Sequence, residues 1–419
     1  MTKKGADHLS TRTVRKSLLP NFHTLSDTLE NNDESSLTLE AETIINDAYE
    51  SKATDIHLDP YSDSYHIRLR IDGLLHDAAK LSLDQGHRIV NQIKTLCNLN
   101  PLPSVKAEEG SYFFSREQNQ LDIRITAVPC ASGTKLAVRL LLPPDTIKEI
   151  DSLGLHNEEI EKIDDWLTAT SGMLLVAGPT GSGKTTSLYV LLHKLKMAES
   201  HVKTLEEPIE YQISGINQIQ INNENGLDMS TGTEALLRLD PDFVLLGEIR
   251  NTISANAAIN ITSSGRSLMA TLHSKDAIST ISTLRNMGLD DFDIAANLSF
   301  VIAQRLVRKL CPHCKEQVSF DQNIQHWLDK ADIKPPKKMW IANGCDSCKN
   351  IGYSGRTGIF EVWRLSEKDR RMIIDHEDEF NLRKSFYQSN NLRMADDALE
   401  KANEGITSYE ELIRKGVFS

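Results

Sequence analysis

Residues 173–186 read MLLVAGPTGSGKTT. The apolar run ending at Ala177 has the length and composition of a buried strand, and the residues after it fit G-x-x-x-x-G-K-[ST] and open a helix near Thr185. The candidate nucleotide-binding turn is Gly178, Pro179, Thr180, Gly181, Ser182, Gly183, Lys184, Thr185 and Thr186. Glycines at 178, 181 and 183 let the backbone wrap a polyphosphate, so that its N–H groups and the helix N-terminus face the negative charge. Lys184 would then reach the β and γ oxygens of ATP, and the Thr185 hydroxyl is placed to hold Mg²⁺. A glycine-rich turn without a ligand is the plainer alternative, but the full pattern with both flanks is far more specific than a lone glycine run.

Working outward from this stretch, the apolar runs VKTLEE, FVLLGE and SLMATLH alternate with helical patterns, which predicts a parallel sheet covered on both faces. Residues 151–419 are therefore expected to form an α/β nucleotide-binding core. Upstream, AETIINDAYESKATDIHLDPY reads as a helix and then a strand, and YHIRLRIDGLLHDA as strands around an Asp72-Gly73 hairpin turn. A second strand pair, SYFFSREQNQLDIRITAVPC and TKLAVRLLLPP, completes a small α+β domain over 39–145. Pro143-Pro144 with DTIKEI reads as a linker, and residues 1–38 as a polar, loosely ordered leader. No internal repeat or low-complexity tract interrupts the chain.

Open α/β sheets bind ligands at the carboxyl ends of their strands, and three such ends carry chemistry here. The strand from Val202 ends in Glu206-Glu207-Pro208, where a carboxylate can orient an attacking water; a solvated acidic loop is the alternative. The strand Asp242-Phe-Val-Leu-Leu-Gly-Glu248 ends in the carboxylate that positions Mg²⁺ or water in phosphate-loop enzymes. SLMATLHS ends in His273, which is placed to sense a γ-phosphate, against the alternative of an ordinary surface histidine.

Cys311-Pro-His-Cys314 and Cys345-Asp-Ser-Cys348 are two CxxC knuckles with thirty residues between them. Together they offer four thiolates to one tetrahedral Zn²⁺, and four protein ligands leave no open position, so the ion would be structural. His313 is a less apt ligand than the four sulfurs, and a redox dithiol is the alternative. The zinc-binding segment is expected at about 305–360, followed by a helical, charged tail.

At 419 residues the chain is expected to hold roughly two to three units. With 47 basic against 59 acidic residues its net charge is −12, which argues against general nucleic-acid binding. No apolar run approaches the ~20 residues of a membrane helix, and no apolar stretch follows the basic N-terminus as in a signal peptide, so a cytoplasmic protein is expected.

The ordered series GPTGSGKTT, LEEPIEYQISGINQIQIN, LRLDPDFVLLGEIR, ATLHSKDA, AQRLVRKLCPHC and GCDSC…GYSGRTGIFEV resembles the type II secretion and type IV pilus assembly ATPases. In that family these are the Walker A, Asp box, Walker B, His box and tetracysteine segments. ATDIHLDPY, RLRIDGLL, LDIRIT and KLAVRLLLP look like its second N-terminal domain, so the resemblance covers roughly 39–360. It implies a RecA-like phosphate-loop core, a smaller α+β domain and a zinc-binding tetracysteine insertion. It also implies a homo-hexamer working with an inner-membrane platform protein, and so peripheral membrane association. Arginines of the small domain complete the ATP site in this family, which points to Arg68, Arg70, Arg124 and Arg139, with Arg238 and Arg250 from the core. Arg124 and Arg139 are the foremost outside contributors.

The chain departs from the family pattern at several places. Glu206-Glu207-Pro208 stands for E-D-P, Glu108-Glu109-Gly110-Ser111 for Q-D-G-R, Ser264-Gly265-Arg266 for T-G-H, and Leu239-Asp240-Pro241-Asp242 for Q-D-P-D. Only a short leader precedes Leu39, so docking through a whole extra N-terminal domain is not expected. The tetracysteine segment favours an assembly motor. A retraction or DNA-uptake motor and a nucleotide-gated scaffold with little turnover are the alternatives.

Overall fold

The computed structural model describes residues 39–116, 119–141, 149–168, 171–197, 200–330, 333–389 and 391–417. The expected leader, 1–38, and most of the expected linker, 142–148, lie outside the described residues. The chain forms two units, one running to Pro143 and one starting at Pro144.

In the first unit, helix α1 (Leu39–Glu50) precedes strands β1 (Ala53–Pro60), β2 (Tyr65–Ile71) and β3 (Leu74–Leu81). Helix α2 (Leu83–Leu96) then leads to β4 (Glu108–Arg116), β5 (Asn119–Cys130) and β6 (Gly133–Leu141). The strands form one sheet in the order β3-β2-β1-β6-β5-β4, antiparallel at every pairing. Asp72 and Gly73 both have positive φ, 47° and 81°, the signature of a type I′ turn whose twist matches its strands. Alternation puts Ile56, Leu58, Ile67, Leu69, Ile123, Ile125, Leu136 and Val138 into one core with Ile44, Ile45, Ile89 and Ile93 of the two helices. The structure differs from the sequence reading in two respects. SYFFSREQNQLDIRITAVPC holds two strands, β4 and β5, paired antiparallel from Gly110 opposite Ile125 to Arg116 opposite Asn119. Helix α2 was not expected, although Ser82 and Gln85 form a capping box at its start.

The second unit begins with α3 (Asn157–Leu167), β7 (Gly172–Ala177), α4 (Lys184–Met197), β8 (Val202–Glu206) and β9 (Asn217–Gln220). It continues through α5 (Met229–Leu237), β10 (Phe243–Ile249), α6 (Thr252–Ser263), β11 (Ser267–Leu272), α7 (Ser279–Asn286), α8 (Asp291–Asn297) and β12 (Leu298–Leu310). Strand order is β15-β12-β7-β11-β10-β8-β9, with β15 (Tyr353–Arg364) at one edge. All neighbours are parallel except β12 and β15. Residues 173–177 are fully buried, with Met173, Leu175 and Ala177 in one core and Leu174 and Val176 in the other, so helices cover both faces. The strands expected from the sequence, β7, β8, β10 and β11, are parallel to one another, and β15 adds an antiparallel edge beyond them. The chain leaves β12 into the cysteine segment and comes straight back beside it, which needs no crossover.

That segment holds a two-stranded sheet of β13 (Lys315–Ser319) and β14 (Lys338–Ala342), with the short helix α9 (Gln325–Lys330) between them. After β15 come α10 (Glu367–Ile374), α11 (Glu379–Gln388), α12 (Met394–Asn403) and α13 (Tyr409–Arg414). The expected helical tail is thus a packed layer, with Phe386, Ala398, Ala402 and Leu412 fully buried in the main core.

Candidate active site

The turn after β7 is built as a cradle. Gly178 and Gly183 have φ of 152° and 88°, and a Cβ on Gly178 would lie 2.5 Å from the Gln304 carbonyl. At Gly181, also at positive φ, a Cβ would meet nothing within 4 Å, so the mouth of the turn is open. Helix α4 starts at Lys184, placing its N-terminus, with its partial positive charge, at this opening. Lys184 is 9% exposed and its Nζ donates to the carbonyls of Gly178 and Pro179 at 2.9 and 3.3 Å. Burial holds the ammonium below its ordinary pKa, while the Glu248 charge pulls the other way. An ammonium resting on two loop carbonyls, beside an open backbone nest, fits a polyphosphate. The buried Ser182 hydroxyl, which has no hydrogen-bond partner, faces the same need.

Strand register brings the other candidates to this mouth. Ala177 pairs with Leu272 and Leu272 with Ile249, so the carboxyl ends of β7, β11 and β10 lie side by side. His273 Nε2 is 2.6 Å from Glu248 Oε1, an ion-pair distance without hydrogen-bond alignment. Glu248 Oε2 meets Arg250 Nε, and Arg250 also lies 3.9 Å from Glu207. Arg238 caps the C-terminus of α5 and is exposed.

Glu206 is oriented differently from the expected water-facing carboxylate. It is 2% exposed, and its oxygens accept from the Tyr189 hydroxyl, from Thr204 Oγ1 at 2.6 Å and from Gln218 Nε2 at 3.1 Å. The reason is packing: Tyr189 of α4 and Tyr211 of the loop between β8 and β9 meet edge to face, and the Tyr189 hydroxyl draws Glu206 inward. Burial, then the Glu206 charge, keeps the Tyr189 phenol well above its ordinary pKa, so it stays a donor. Glu207 holds its carboxylate at the surface, where Asn223 Nδ2 donates to it at 3.2 Å.

The four knuckle cysteines carry free thiols whose Sγ atoms all lie within 4.8 Å of one another. Cys311–Cys345, Cys314–Cys348 and Cys345–Cys348 are 3.9, 3.7 and 3.8 Å apart. A tetrahedron with Zn–S bonds of ~2.3 Å has edges of ~3.8 Å, so the donor set fits that ion. Burial raises the Cys348 thiol, but N–H donors from Cys345 and Gly352 and the neighbouring thiols outweigh it and bring it down to about 7.

The sequence profile of the Type II/IV secretion system protein family matches residues 30–414. This chain belongs to that family. It is 36% identical over 372 residues to the type IV pilus assembly ATPase PilB of Pseudomonas aeruginosa, covering 88% of this chain and 65% of that one. It is 33% identical over 391 residues to the type II secretion system protein E of Klebsiella pneumoniae, covering 93% and 77%. The chain thus spans less than two thirds of the first relative's length. The ATPase DotB of Legionella pneumophila has the same fold, with a TM-score of 0.65 at 20% identity over 92% of this chain and 98% of that one. The α/β class and phosphate-loop core are as expected from the sequence.

In the first unit of this secretion-family chain, the arginines form a row. Arg70 stands opposite Asp55, Asp55 opposite Arg139, Arg139 opposite Arg124, and Arg124 opposite Ser111, across β2, β1, β6, β5 and β4. Opposite residues of an antiparallel pair share a face, here the one turned away from the helices. Asp55 is 3.5 Å from both Arg70 and Arg139, and Asp122 is 3.6 Å from Arg124. Ser111 ends the row where the family pattern has arginine. Arg68 sits on the same face but is taken by Asp59, at 2.6 and 2.9 Å.

Sequence reasoning missed Gln304. It is 2% exposed on β12; its Oε1 accepts from Ser187 Oγ at 2.7 Å, and its Nε2 donates to the Ser182 carbonyl at 2.7 Å. It therefore holds the phosphate loop from below. The signal was a glutamine inside the apolar run FVIAQRLV, since a buried amide requires partners.

Proposed function

We propose that this chain is an ATP hydrolase motor that drives pilus or pseudopilus subunit assembly in a type IV pilus or type II secretion machine. The observation that carries the reading is the meeting of Lys184, Glu248 and His273 at the mouth of the glycine cradle. Its support is the chain's likeness to an assembly ATPase over most of its length.

Lys184 would exchange the Gly178 and Pro179 carbonyls for phosphate oxygens, and Thr185 would hold Mg²⁺, which offsets phosphate charge when bound. Glu248, steered by Arg250 and His273, orients the attacking water. Glu206 braces β8 against α4, leaving Glu207 as the solvent-facing carboxylate of that strand end. Arg124 and Arg139 supply cations from the first unit, either across subunits or by domain closure. Cys311, Cys314, Cys345 and Cys348 hold one structural Zn²⁺, and this segment favours assembly over retraction. The working form is a homo-hexamer at the cytoplasmic face of the inner membrane, held there by a platform protein; among the described residues no helix is long and apolar enough to cross a membrane. The net charge of −12 gives no ground for a nucleic-acid partner.

The test is phosphate release together with fluorescent-ATP binding. Lys184→Ala should abolish turnover. Glu248→Gln should keep binding and lose ~10²-fold or more in rate, the usual worth of one transition-state electrostatic group. Full turnover in either variant refutes the assignment.

A further inference from the structure

Glu361 lies on β15 and is 5% exposed. Its carboxylate meets backbone: Oε1 accepts the Ala277 N–H at 2.9 Å, and the Met394 N–H at the start of α12 also donates to it. Ala277 belongs to the loop 273–278 that joins β11 to α7, and the first residue of that loop is His273. The preceding residue, Asp276, is tied as well. Its Oδ1 accepts the Ser279 N–H at 2.8 Å, and its Oδ2 takes Arg383 Nη2 of α11 at 3.0 Å. Thr271 Oγ1 anchors the other side of the loop to the Gly247 carbonyl at 2.7 Å, next to Glu248. Adjacent residues of one short loop are thus fastened to the edge strand and to the C-terminal helices, while its first residue reaches the candidate catalytic carboxylate.

We propose that Glu361 is the positioning residue for His273: by accepting the Ala277 amide it sets the loop that brings His273 to Glu248, and through Met394 it ties that setting to the C-terminal helices. The proposal rests on the hydrolysis reading above. Among the described residues, the charged groups facing Glu361 are Asp276 from the loop, Arg383 from α11 and Arg393 at the start of α12. Burial, then the Asp276 charge, raises the carboxyl to about 7, against the two N–H donors and Arg383. Ionised, the carboxylate accepts both amides as charge-assisted bonds, roughly twice as strong as neutral ones. Protonated, it holds them weakly. The loop is therefore set above pH ~7 and loosened below it.

The experiment uses the full chain and the isosteric variant Glu361→Gln. Wild type should show a rise in kcat through pH 7 that the variant lacks. At pH 8 the variant's kcat should fall about tenfold, with the KM for ATP within about twofold, because the phosphate loop is untouched. A rise in KM at unchanged kcat, or a pH profile identical to wild type, overturns the proposal. Hydrogen exchange of 273–278, corrected for the intrinsic pH dependence, reads the same link without turnover. Protection should grow across pH 7 in wild type and stay flat in the variant; equal profiles overturn the proposal even if no ATP is hydrolysed. Lys184→Ala serves as the separate control, since turnover surviving in it would sink the hydrolysis reading and leave the exchange result standing by itself.

Discussion

Replacing Gln304 by leucine isolates how the fold holds its phosphate loop. Leucine is close to glutamine in volume, so no large cavity opens in a site that is 2% exposed. What goes is the pair of 2.7 Å bonds, one from Ser187 Oγ and one to the Ser182 carbonyl. Each orphaned buried group costs about 1–3 kcal/mol, so the loop and its surroundings lose about 2–6 kcal/mol of support. Some of this loss lowers global stability, and the rest falls on the order of the empty loop, which nucleotide must then restore. A share of ~3 kcal/mol weakens binding by ~10²-fold. Fluorescent ATP and ADP should weaken equally, because the change acts on the cradle common to both and not on the γ-phosphate. At saturating ATP, kcat should stay within a few-fold of wild type. Ser187→Ala removes one bond and should weaken binding less. In a double-mutant cycle the two changes should couple by about 1 kcal/mol, since they share that bond. Wild-type affinity for both nucleotides in Gln304→Leu would refute the reasoning, and so would a loss of ATP binding with ADP binding spared.

Metal analysis of protein purified without chelator should return one zinc per chain. Cys311→Ser or Cys348→Ser should loosen 311–352 in limited proteolysis, against the ~10 kcal/mol a structural zinc contributes, while nucleotide affinity changes little; protein without zinc counts against the site. Arg124→Ala and Arg139→Ala should each lose up to ~10³-fold in turnover with the fold intact, and mixing either with Lys184→Ala chains under subunit exchange should restore part of it. Wild-type rates in both single variants would leave the arginine row without a catalytic part.

The legible parts of this protein are those whose meaning is contained in a few consecutive residues. The phosphate loop is one unbroken stretch, and its flanks alone state that a strand precedes it and a helix follows. The placement of Glu248 and His273 beside each other was legible for a related reason: each closes an apolar strand, and in a parallel sheet the carboxyl ends gather on one side whatever the strand order. Glu206 met the same rule, yet its side chain turned inward. Which way it points depends on Tyr189, seventeen residues earlier on α4, and on Gln218 of β9, neither of which the strand's own pattern mentions. For Gln304 the apolar run around it signals that the amide needs partners but does not name them, and Glu361 is in the same position, the partners being 117 and 84 residues away. The arginine row makes the distinction sharpest. Alternation alone puts Arg70, Asp55, Arg139 and Arg124 on the polar face of their strands, because Leu69, Ile56, Val138 and Ile123 must be inside. It does not make them neighbours. That follows from the strand order β2-β1-β6-β5, in which a strand near the start of the unit is flanked by the one at its end. A period of two assigns a residue to a face, whereas register across distant strands assigns it a partner. A site assembled from partners is therefore visible only once the sheet is closed.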